Sequence, residues 1–220
     1  MEKEFSIQQK VFWRLLLVFL IATVGIGVWR WQEPRPRQGT SERNPLEGLK
    51  VFGTVPDFSL TERSGRRVAL AELKGKFWIA NFIYTHCPDS CPIQSAQMRE
   101  LQTEFINERD LRLVSVTVDP ELDTPRVLSQ YARRFGADPA RWLFLTGEKD
   151  AIYRLAQQGF LLGAAEIPKE KRPESGATHT HSPRFVLIDA KAQIRGYYPS
   201  TDAEAMVRLR RDLKVLLRGE

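Results

Sequence analysis

The chain contains two cysteines among its 220 residues, Cys87 and Cys91, and they lie four positions apart. Two thiols at this spacing either form a redox couple or supply two ligands to a site for a soft metal ion. They could also form an inert disulfide, but closing so short a loop removes little chain entropy and stabilises a fold only weakly. The pair is therefore the first candidate for chemistry in this sequence.

The residues around the cysteines predict a strand followed by a helix. The run 77–84 (FWIANFIY) is apolar and aromatic, which is typical of a central strand buried on both faces. Pro92 lacks an N–H group and is tolerated in a first helical turn, so we expect the helix to begin between Asp89 and Pro92. Its apolar positions recur at near-helical spacing: Ile93, Met98, Leu101 and Phe105. Unpaired amide groups at this helix start would favour the thiolate, the form that attacks disulfides and binds metals.

The flanking segments predict the rest of an α/β domain. Residues 55–70 carry the turn and the β-forming residues of a small hairpin. Residues 111–118 (LRLVSVTV) predict a second buried strand, parallel to the cysteine strand because a helix connects the two. A short strand at 141–146 and a short helix at 149–158 should follow, and the C-terminal part predicts two neighbouring strands, at 185–189 and 194–198.

An acidic turn follows the second buried strand. Thr124 is the expected N-cap of the next helix, and Pro125 occupies its first helical position. Asp119 and Asp123 would lie at the carboxyl end of a strand, where open α/β sheets bind ligands. Turn and capping chemistry accounts for both carboxylates more simply, and we favour that interpretation.

The segment 163–180 is polar, basic and broken by two prolines, so it predicts a long loop outside the core, of the kind that is often functional or mobile. The last helix should open with the capping box Thr201-x-x-Glu204. Its apolar residues recur at spacings of three and four: Met206, Leu209, Leu213 and Leu216. We expect this helix to pack on the sheet.

Two of the three histidines, His179 and His181, come just before the strand at 185–189. In a thioredoxin-like arrangement this strand lies beside the cysteine strand, and the loop that enters it faces the cysteine turn. His181 could then complete a site with Cys87 and Cys91. Two thiolates and an imidazole suit copper, since thiolates select Cu(I) and imidazole accepts either oxidation state. A structural zinc site would usually need a fourth protein ligand.

The N-terminal region differs from the rest in composition. Residues 15–29 carry no charge, and with their neighbours they approach the thickness of a bilayer core, about 30 Å. Tryptophans near both ends resemble an aromatic belt and fit poorly beside a signal-peptide cleavage site, so we favour an uncleaved anchor. The predicted division is a tail at 1–10, a transmembrane anchor at 11–32, a flexible linker at 33–50 and a copper-binding domain at 51–220.

The net charge is +6, from 33 Lys and Arg against 27 Asp and Glu. Such a balance permits contact with anionic lipid or an acidic protein. The basic residues are dispersed, without the aromatic interleaving of a groove for nucleic acid, so we expect no nucleic-acid partner. Positive residues flank the predicted anchor on both sides and leave its orientation undecided.

Three segments together resemble the Sco/SenC family of copper-binding assembly proteins of cytochrome c oxidase. They are the cysteine motif at 84–92 (YTHCPDSCP), the acidic turn at 118–125 (VDPELDTP) and the pair His181-Ser182 upstream of Asp189. The three occur in the order that the family has, and the resemblance extends over about residues 50–218.

The resemblance implies a thioredoxin-like α/β fold, with a central mixed sheet flanked by helices and one N-terminal transmembrane helix. The domain would face the periplasm from the inner membrane, or the intermembrane space in a mitochondrion. Cys87, Cys91 and His181 match the copper ligands of the family, for Cu(I), Cu(II) or both. The implied partner is cytochrome c oxidase subunit II, whose dinuclear copper centre the family helps to assemble, or another copper-accepting or thiol-bearing protein.

The chain departs from the family pattern near the histidine. Family members usually have Asp before it, where this chain has Thr180. Pro183 stands six residues before Asp189, where thioredoxin-like reductases carry a cis-proline against the cysteines. A cis bond at Pro183 would favour a reductase and could displace His181.

The leading functional hypothesis is therefore a membrane-anchored copper chaperone rather than an enzyme. The alternative is a thiol–disulfide oxidoreductase that reduces cysteines of a partner protein, although three residues separate the cysteines here and two separate them in thioredoxin motifs. A peroxiredoxin would have Thr three residues before its reactive cysteine, where Cys87 has Tyr84. A purely structural interaction module is the remaining alternative.

Overall fold

The computed structural model describes Leu16, Thr23 and residues 49–219. The anchor predicted at 11–32 lies outside the described residues except at those first two positions, and the linker predicted at 33–50 is described only at its last two residues. Among the described residues we find no apolar helix of the length that a bilayer crossing needs.

The chain divides into two units, Met1–Glu42 and Arg43–Glu220, and the elements described here belong to the second. The strands are β1 (Gly53–Thr54), β2 (Ser59–Glu62), β3 (Arg67–Ala69), β4 (Phe77–Ile83), β5 (Leu111–Thr117), β6 (Trp142–Thr146), β7 (Ala164–Glu166), β8 (His179–His181), β9 (Arg184–Ile188) and β10 (Gln193–Pro199). The α-helices are α1 (Leu70–Leu73), α2 (Ser90–Glu104), α3 (Pro125–Arg134), α4 (Lys149–Arg154) and α5 (Ala203–Arg218). A π-helical turn, Leu155–Gly159, continues α4, and a 3-10 turn spans Lys169–Lys171.

Within residues 49–219, eight strands form one mixed sheet in the order β1-β10-β9-β4-β5-β6-β2-β3. The cysteine strand β4 pairs in parallel with β5, and β5 pairs in parallel with β6. On its other side β4 pairs with β9, which runs antiparallel to it. The predicted α/β architecture with a central mixed sheet is confirmed, as is the placement of the 185–189 strand beside the cysteine strand.

Helical segments cover both faces of this sheet. Trp78 and Phe82 point to one face of β4 and contact Phe160, just after the π-helical turn, at ring-centroid distances of 5.9 and 5.4 Å. Asn81 points to the opposite face, because side chains alternate along a strand. There it accepts a hydrogen bond from Ser115 on β5. The strand is buried on both sides, which explains why six of its seven residues are apolar.

Two predicted caps have different outcomes. Thr124 caps α3 as predicted, since its hydroxyl accepts a hydrogen bond from the Val127 amide at 3.4 Å. The prediction for α5 was wrong by one residue, because Asp202 rather than Thr201 is the N-cap and its carboxylate accepts from the Glu204 amide at 2.9 Å. The predicted apolar stripe of α5 is confirmed as buried: Met206, Leu209, Leu213 and Leu216.

The segment at 163–180 differs most from its prediction as a loop. Its ends form the two-stranded antiparallel sheet of β7 and β8, with Ala164 opposite His181 and Glu166 opposite His179. The backbone groups of these short strands pair with each other, which lets a polar stretch stay ordered beside the core. The two histidines are thus part of a strand rather than of the loop before one.

Candidate metal centre

The two cysteines lie at the turn between β4 and α2, as the sequence predicts. Asp89 is the N-cap of α2, so Cys91 and Pro92 fall in its first turn. Neither cysteine forms a disulfide. Cys91 is fully buried, whereas Cys87 in the preceding loop keeps 9% of its surface exposed. A partner molecule can therefore reach Cys87 more easily than Cys91.

His181 lies against the cysteine turn although 90 residues separate it from Cys91. Its Nε2 is 3.1 Å from Cys91 Sγ, and the nearest ligand atoms of Cys87, Cys91 and His181 all lie within 4.8 Å of one another. These are the three predicted site residues, and the fold brings them together. The other two histidines are outside this cluster: His86 is exposed, and His179 is buried against the ring of Tyr84.

The pKa values of the two cysteines are shifted in opposite directions. The Cys91 thiol hydrogen-bonds to Cys87 and, with help from His181, holds the pKa of Cys87 far below its usual range. Burial, followed by the proximity of Cys87, raises the pKa of Cys91 well above its usual range. At neutral pH the apo pair therefore consists of a thiolate at Cys87 and a thiol at Cys91.

The donor set fits a soft monovalent or divalent metal ion. Metal–sulfur and metal–nitrogen bonds of about 2.3 and 2.0 Å place the ligand atoms of a trigonal site roughly 3.5–4 Å apart. The Cys91 Sγ–His181 Nε2 distance of 3.1 Å lies below that range and no separation in the cluster exceeds 4.8 Å, so a bound ion would require only small movements of the side chains. His181 Nδ1 is buried and has no hydrogen-bond partner among residues 49–219. The second ring nitrogen of a metal ligand usually has such a partner, and none is present here among those residues.

The side chains of Tyr84 and His179 pack beside the donor cluster. The Tyr84 ring is 5.4 Å from the ring of His179 and 5.9 Å from that of His181. Burial, followed by the charge of Cys87, raises the pKa of Tyr84 above its usual range. Burial likewise lowers the pKa of His179, whose Nδ1 lies 2.9 Å from the Thr178 hydroxyl. His179 is therefore neutral near pH 7 and serves in packing.

Asp123 makes contacts between distant segments that the sequence reasoning undervalued. Its fully buried carboxylate accepts hydrogen bonds from the Thr117 hydroxyl at 2.5 Å and from the Thr85 hydroxyl and amide at 2.5 and 3.0 Å. It therefore connects the end of β5 to the loop that carries Cys87. Burial raises the pKa of Asp123 above its usual value, although all three donors oppose that shift. The turn assignment was correct for Asp119, which accepts from the Leu122 amide at 3.4 Å.

The hairpin that carries His181 is also tied to the acidic turn. The Lys149 ammonium lies 2.7 Å from the Glu166 carboxylate on β7 and 3.2 Å from that of Glu121. Hydrogen bonds to Glu166 and then to Glu121 raise the pKa of Lys149. At the base of the hairpin, the Ser182 amide donates to the Gly163 carbonyl at 3.0 Å.

Pro183 does not have the geometry of a reductase. Every described peptide bond is trans, including the one that precedes Pro183. His181 points at the cysteines and is not displaced by the proline. His181 therefore keeps its place beside the cysteines despite this departure from the family pattern.

Comparisons with known proteins agree with the cysteine motif and the fold. The SCO1/SenC family profile matches residues 49–215. A SCO1 protein homolog from Bacillus subtilis (strain 168) is 33% identical over 142 residues, which cover 64% of this chain and 70% of the relative.

Two solved structures are similar over most of the described domain. A SCO1/SenC family lipoprotein from Bacillus anthracis str. Ames superposes with a TM-score of 0.67 at 30% identity, covering 76% of this chain and 97% of that one. Bradyrhizobium japonicum ScoI with copper bound has a TM-score of 0.60 at 26% identity, covering 72% and 99%. The matching profile, the relative and the shared fold all lead to one assignment: the chain belongs to the SCO1/SenC family.

Proposed function

We propose that this protein is a copper-binding chaperone and that Cys87, Cys91 and His181 are its metal ligands. The observation that supports this most directly is the convergence of two sulfurs and one imidazole nitrogen within 4.8 Å. Sulfur ligands select Cu(I), and an imidazole ligand is compatible with both Cu(I) and Cu(II). Copper is the cargo here, and the protein supplies a site that it can enter and leave.

The burial of the donors is consistent with delivery. Cys87 and His181 lie at the surface side of the cluster, whereas Cys91 lies beneath them. Three protein ligands leave a coordination position free, at which a ligand from an acceptor can bind before the ion is released. Copper then passes by stepwise exchange of ligands, without release into solution.

The proposed acceptor is cytochrome c oxidase subunit II or another copper-accepting or thiol-bearing protein. We further propose that residues 11–32 anchor the chain in the inner membrane and that the domain faces the periplasm, or the intermembrane space of a mitochondrion. The uncharged run and its flanking tryptophans support the anchor. Membrane fractionation of the whole chain, compared with a chain that lacks residues 1–32, tests it.

An anaerobic titration of the reduced full chain with Cu(I), in competition with a chromophoric chelator, tests the copper site. We expect one tightly bound ion per chain. His181→Ala should weaken binding, and replacement of either cysteine by Ser should abolish it. His86→Ala is the matched control, because His86 lies in the cysteine loop but outside the cluster, and it should bind like the wild type. Absence of retained copper in the reduced wild type would exclude the chaperone role.

A second candidate function follows from the unequal protonation of the cysteines. The Cys87 thiolate could attack a disulfide of a partner, releasing one partner thiolate and forming a mixed disulfide. Cys91, after losing its proton, would attack the Cys87 sulfur and release the second partner thiolate. The partner disulfide is then reduced by two electrons, and Cys87 and Cys91 are oxidised to a disulfide. Metal-free turnover of a disulfide substrate with a thiol reductant distinguishes this activity from copper delivery.

A further inference from the structure

The outer face of helix α2 forms the floor of a surface groove of about 830 Å³. Pro92, Ala96, Arg99 and Thr103 line it, and their spacings of four, three and four place them on one side of the helix. All four are exposed, whereas Cys91 is among the residues that α2 buries in the core. Because Pro92 follows Cys91 directly, the groove starts at the end of α2 that carries a cysteine.

The two neighbouring helices form the walls of the groove, and hydrogen bonds and ion pairs hold them against α2. Phe135, the C-cap of α3, lines the groove, and beside it Gln102 Nε2 donates to the Gly136 carbonyl at 3.1 Å. Arg210 of α5 also lines it, with its guanidinium 3.0 Å from the carboxylate of Glu100 on α2. The groove is therefore preformed, which lowers the entropy that binding of a partner would cost.

The charged residues of the lining leave it able to bind carboxylates. They are three arginines and two glutamates, and Arg210 pairs with both glutamates, at 3.0 and 2.8 Å. Arg99 and Arg134 are exposed, and neither forms an ion pair within the part of the chain that the structure describes. Their two guanidinium groups remain available for acidic side chains, which they can bind in a bidentate manner.

The length of the groove suits a short segment of extended chain. Residues 92–103 of α2 span about 17 Å at 1.5 Å per residue, the length of about five residues in a strand. The lining also has an apolar part that suits a nonpolar side chain: Pro92, Ala96 and Phe135. A matching segment would therefore combine carboxylates for the two unpaired arginines with at least one apolar residue.

We propose that this groove is the docking site for an acidic, extended segment of the copper acceptor. A segment seated there would hold the acceptor beside the loop that carries Cys87, because the groove begins where that loop meets α2. This inference rests on the proposed copper delivery and adds the recognition of the partner to it. An anionic membrane would attract the same arginines, but a groove between two helices follows a chain better than a flat surface.

Binding to the groove is tested on the full chain in neutral detergent with two peptide probes. One has four glutamates around a central leucine, and the other has lysines in place of the glutamates. We expect the acidic peptide alone to shift the backbone amide NMR signals of residues 93–103 and 134–135. The shifts should disappear in the double variant Arg99→Glu/Arg134→Glu, which should keep the wild-type fold because both side chains are exposed.

Absence of these shifts, or equal shifts with the basic peptide, would overturn the docking site. Phosphatidylglycerol vesicles are the third probe. If the vesicles perturb these residues and the acidic peptide does not, the surface binds lipid and the proposal is wrong.

The role of the groove in delivery is tested by the rate of Cu(I) transfer to cytochrome c oxidase subunit II. Arg99→Glu/Arg134→Glu should transfer about tenfold more slowly at low ionic strength, and the difference should vanish near ~1 M salt. Its affinity for Cu(I) should equal that of the wild type. The matched control is Lys74→Glu/Lys191→Glu, which changes the net charge equally with two exposed residues near the amino end of β4. The control should transfer within about twofold of the wild-type rate.

The outcomes separate this inference from the proposed function. If the wild type retains no copper, the proposed function itself fails, and binding of the acidic peptide can still be measured. If the groove variant binds copper normally and transfers it as fast as the wild type, copper binding stands and the docking role is overturned. Equal slowing in both double variants would also overturn it, because net charge alone would then account for the effect.

Discussion

Asp123 and Thr85 lie 38 positions apart, and the buried carboxylate of Asp123 accepts hydrogen bonds from both the hydroxyl and the amide of Thr85. Thr85 precedes Cys87 by two residues, so this contact fixes the start of the cysteine loop. The carboxyl ends of β4 and β5 are adjacent because the two strands pair in parallel over their full length. The acidic turn therefore positions the loop, although it contributes no atom to the donor cluster.

Removal of this carboxylate should loosen the metal site. Asp123→Ala leaves the half-buried Thr85 amide without its acceptor, which costs about 1 kcal/mol or more of folding free energy. We expect the affinity for Cu(I) to fall about 10- to 100-fold, as for other changes behind a metal ligand. Asp123→Asn is the conservative comparison, because its amide oxygen still accepts from the Thr85 amide and both threonine hydroxyls can rotate. If a chelator competition shows that Asp123→Asn binds Cu(I) more weakly than Asp123→Ala, the role of Asp123 in positioning the loop is contradicted.

The same carboxylate predicts a dependence of stability on pH. Burial raises the folded-state pKa of Asp123, so the protonated form is favoured by folding. The contribution of Asp123 is then fully present below the unfolded-state pKa and is lost as pH rises through the higher folded-state pKa. The free energy of unfolding of the wild type relative to Asp123→Asn should increase as pH falls from 7 toward the ordinary aspartate range. Chemical denaturation of both reduced, metal-free chains at several pH values measures this difference, and a constant difference would refute it.

The cysteines should differ in their reaction with an alkylating agent. Cys87 is partly exposed and is the thiolate of the pair, whereas Cys91 is fully buried and protonated. A brief treatment of the reduced apo chain with iodoacetamide should therefore modify Cys87 first. Peptide mass spectrometry identifies the site, with Cys87→Ser as the control that should react slowly. Preferential labelling of Cys91 would reverse the proposed order of the two sulfurs.

The packing of α5 predicts contrasting effects at two of its positions. Leu213 is completely buried, so Leu213→Ala should lower the free energy of unfolding by about 2–5 kcal/mol through lost burial and the cavity left behind. Val207 on the same helix is 65% exposed. Val207→Ala should therefore change the free energy of unfolding by no more than about 0.5 kcal/mol. Urea denaturation checks both. Similar losses at the two positions would mean that α5 is not packed as described.

The elements with a strong apolar pattern could be predicted from the sequence alone. Strands β4 and β5 are mostly apolar and buried, and the start of α2 follows from Pro92. The third donor could be placed because β9 lies beside β4, as a thioredoxin-like order requires. The first two inferences depend on local sequence patterns, and the third depends on the strand order of a thioredoxin-like sheet.

The features that sequence reasoning missed depend on contacts between distant segments. Strands β7 and β8 have three residues each and no alternating pattern, so only their pairing reveals them. The role of Asp123 depends on Thr85 lying beside it, which no spacing in the chain indicates. Thr201 and Asp202 are adjacent and both are good N-caps, so the choice between them is settled by the backbone geometry of α5.

The histidine and the two cysteines are supported by different parts of the molecule. The cysteines lie at the junction of the eight-stranded sheet and α2, whereas His181 belongs to the small sheet of β7 and β8. Small appended sheets open at lower free energy than a central sheet does, so the contacts of His181 with the cysteines should be lost before the core unfolds. Opening of the small sheet would therefore remove the imidazole from the cluster and leave both cysteine sulfurs in place.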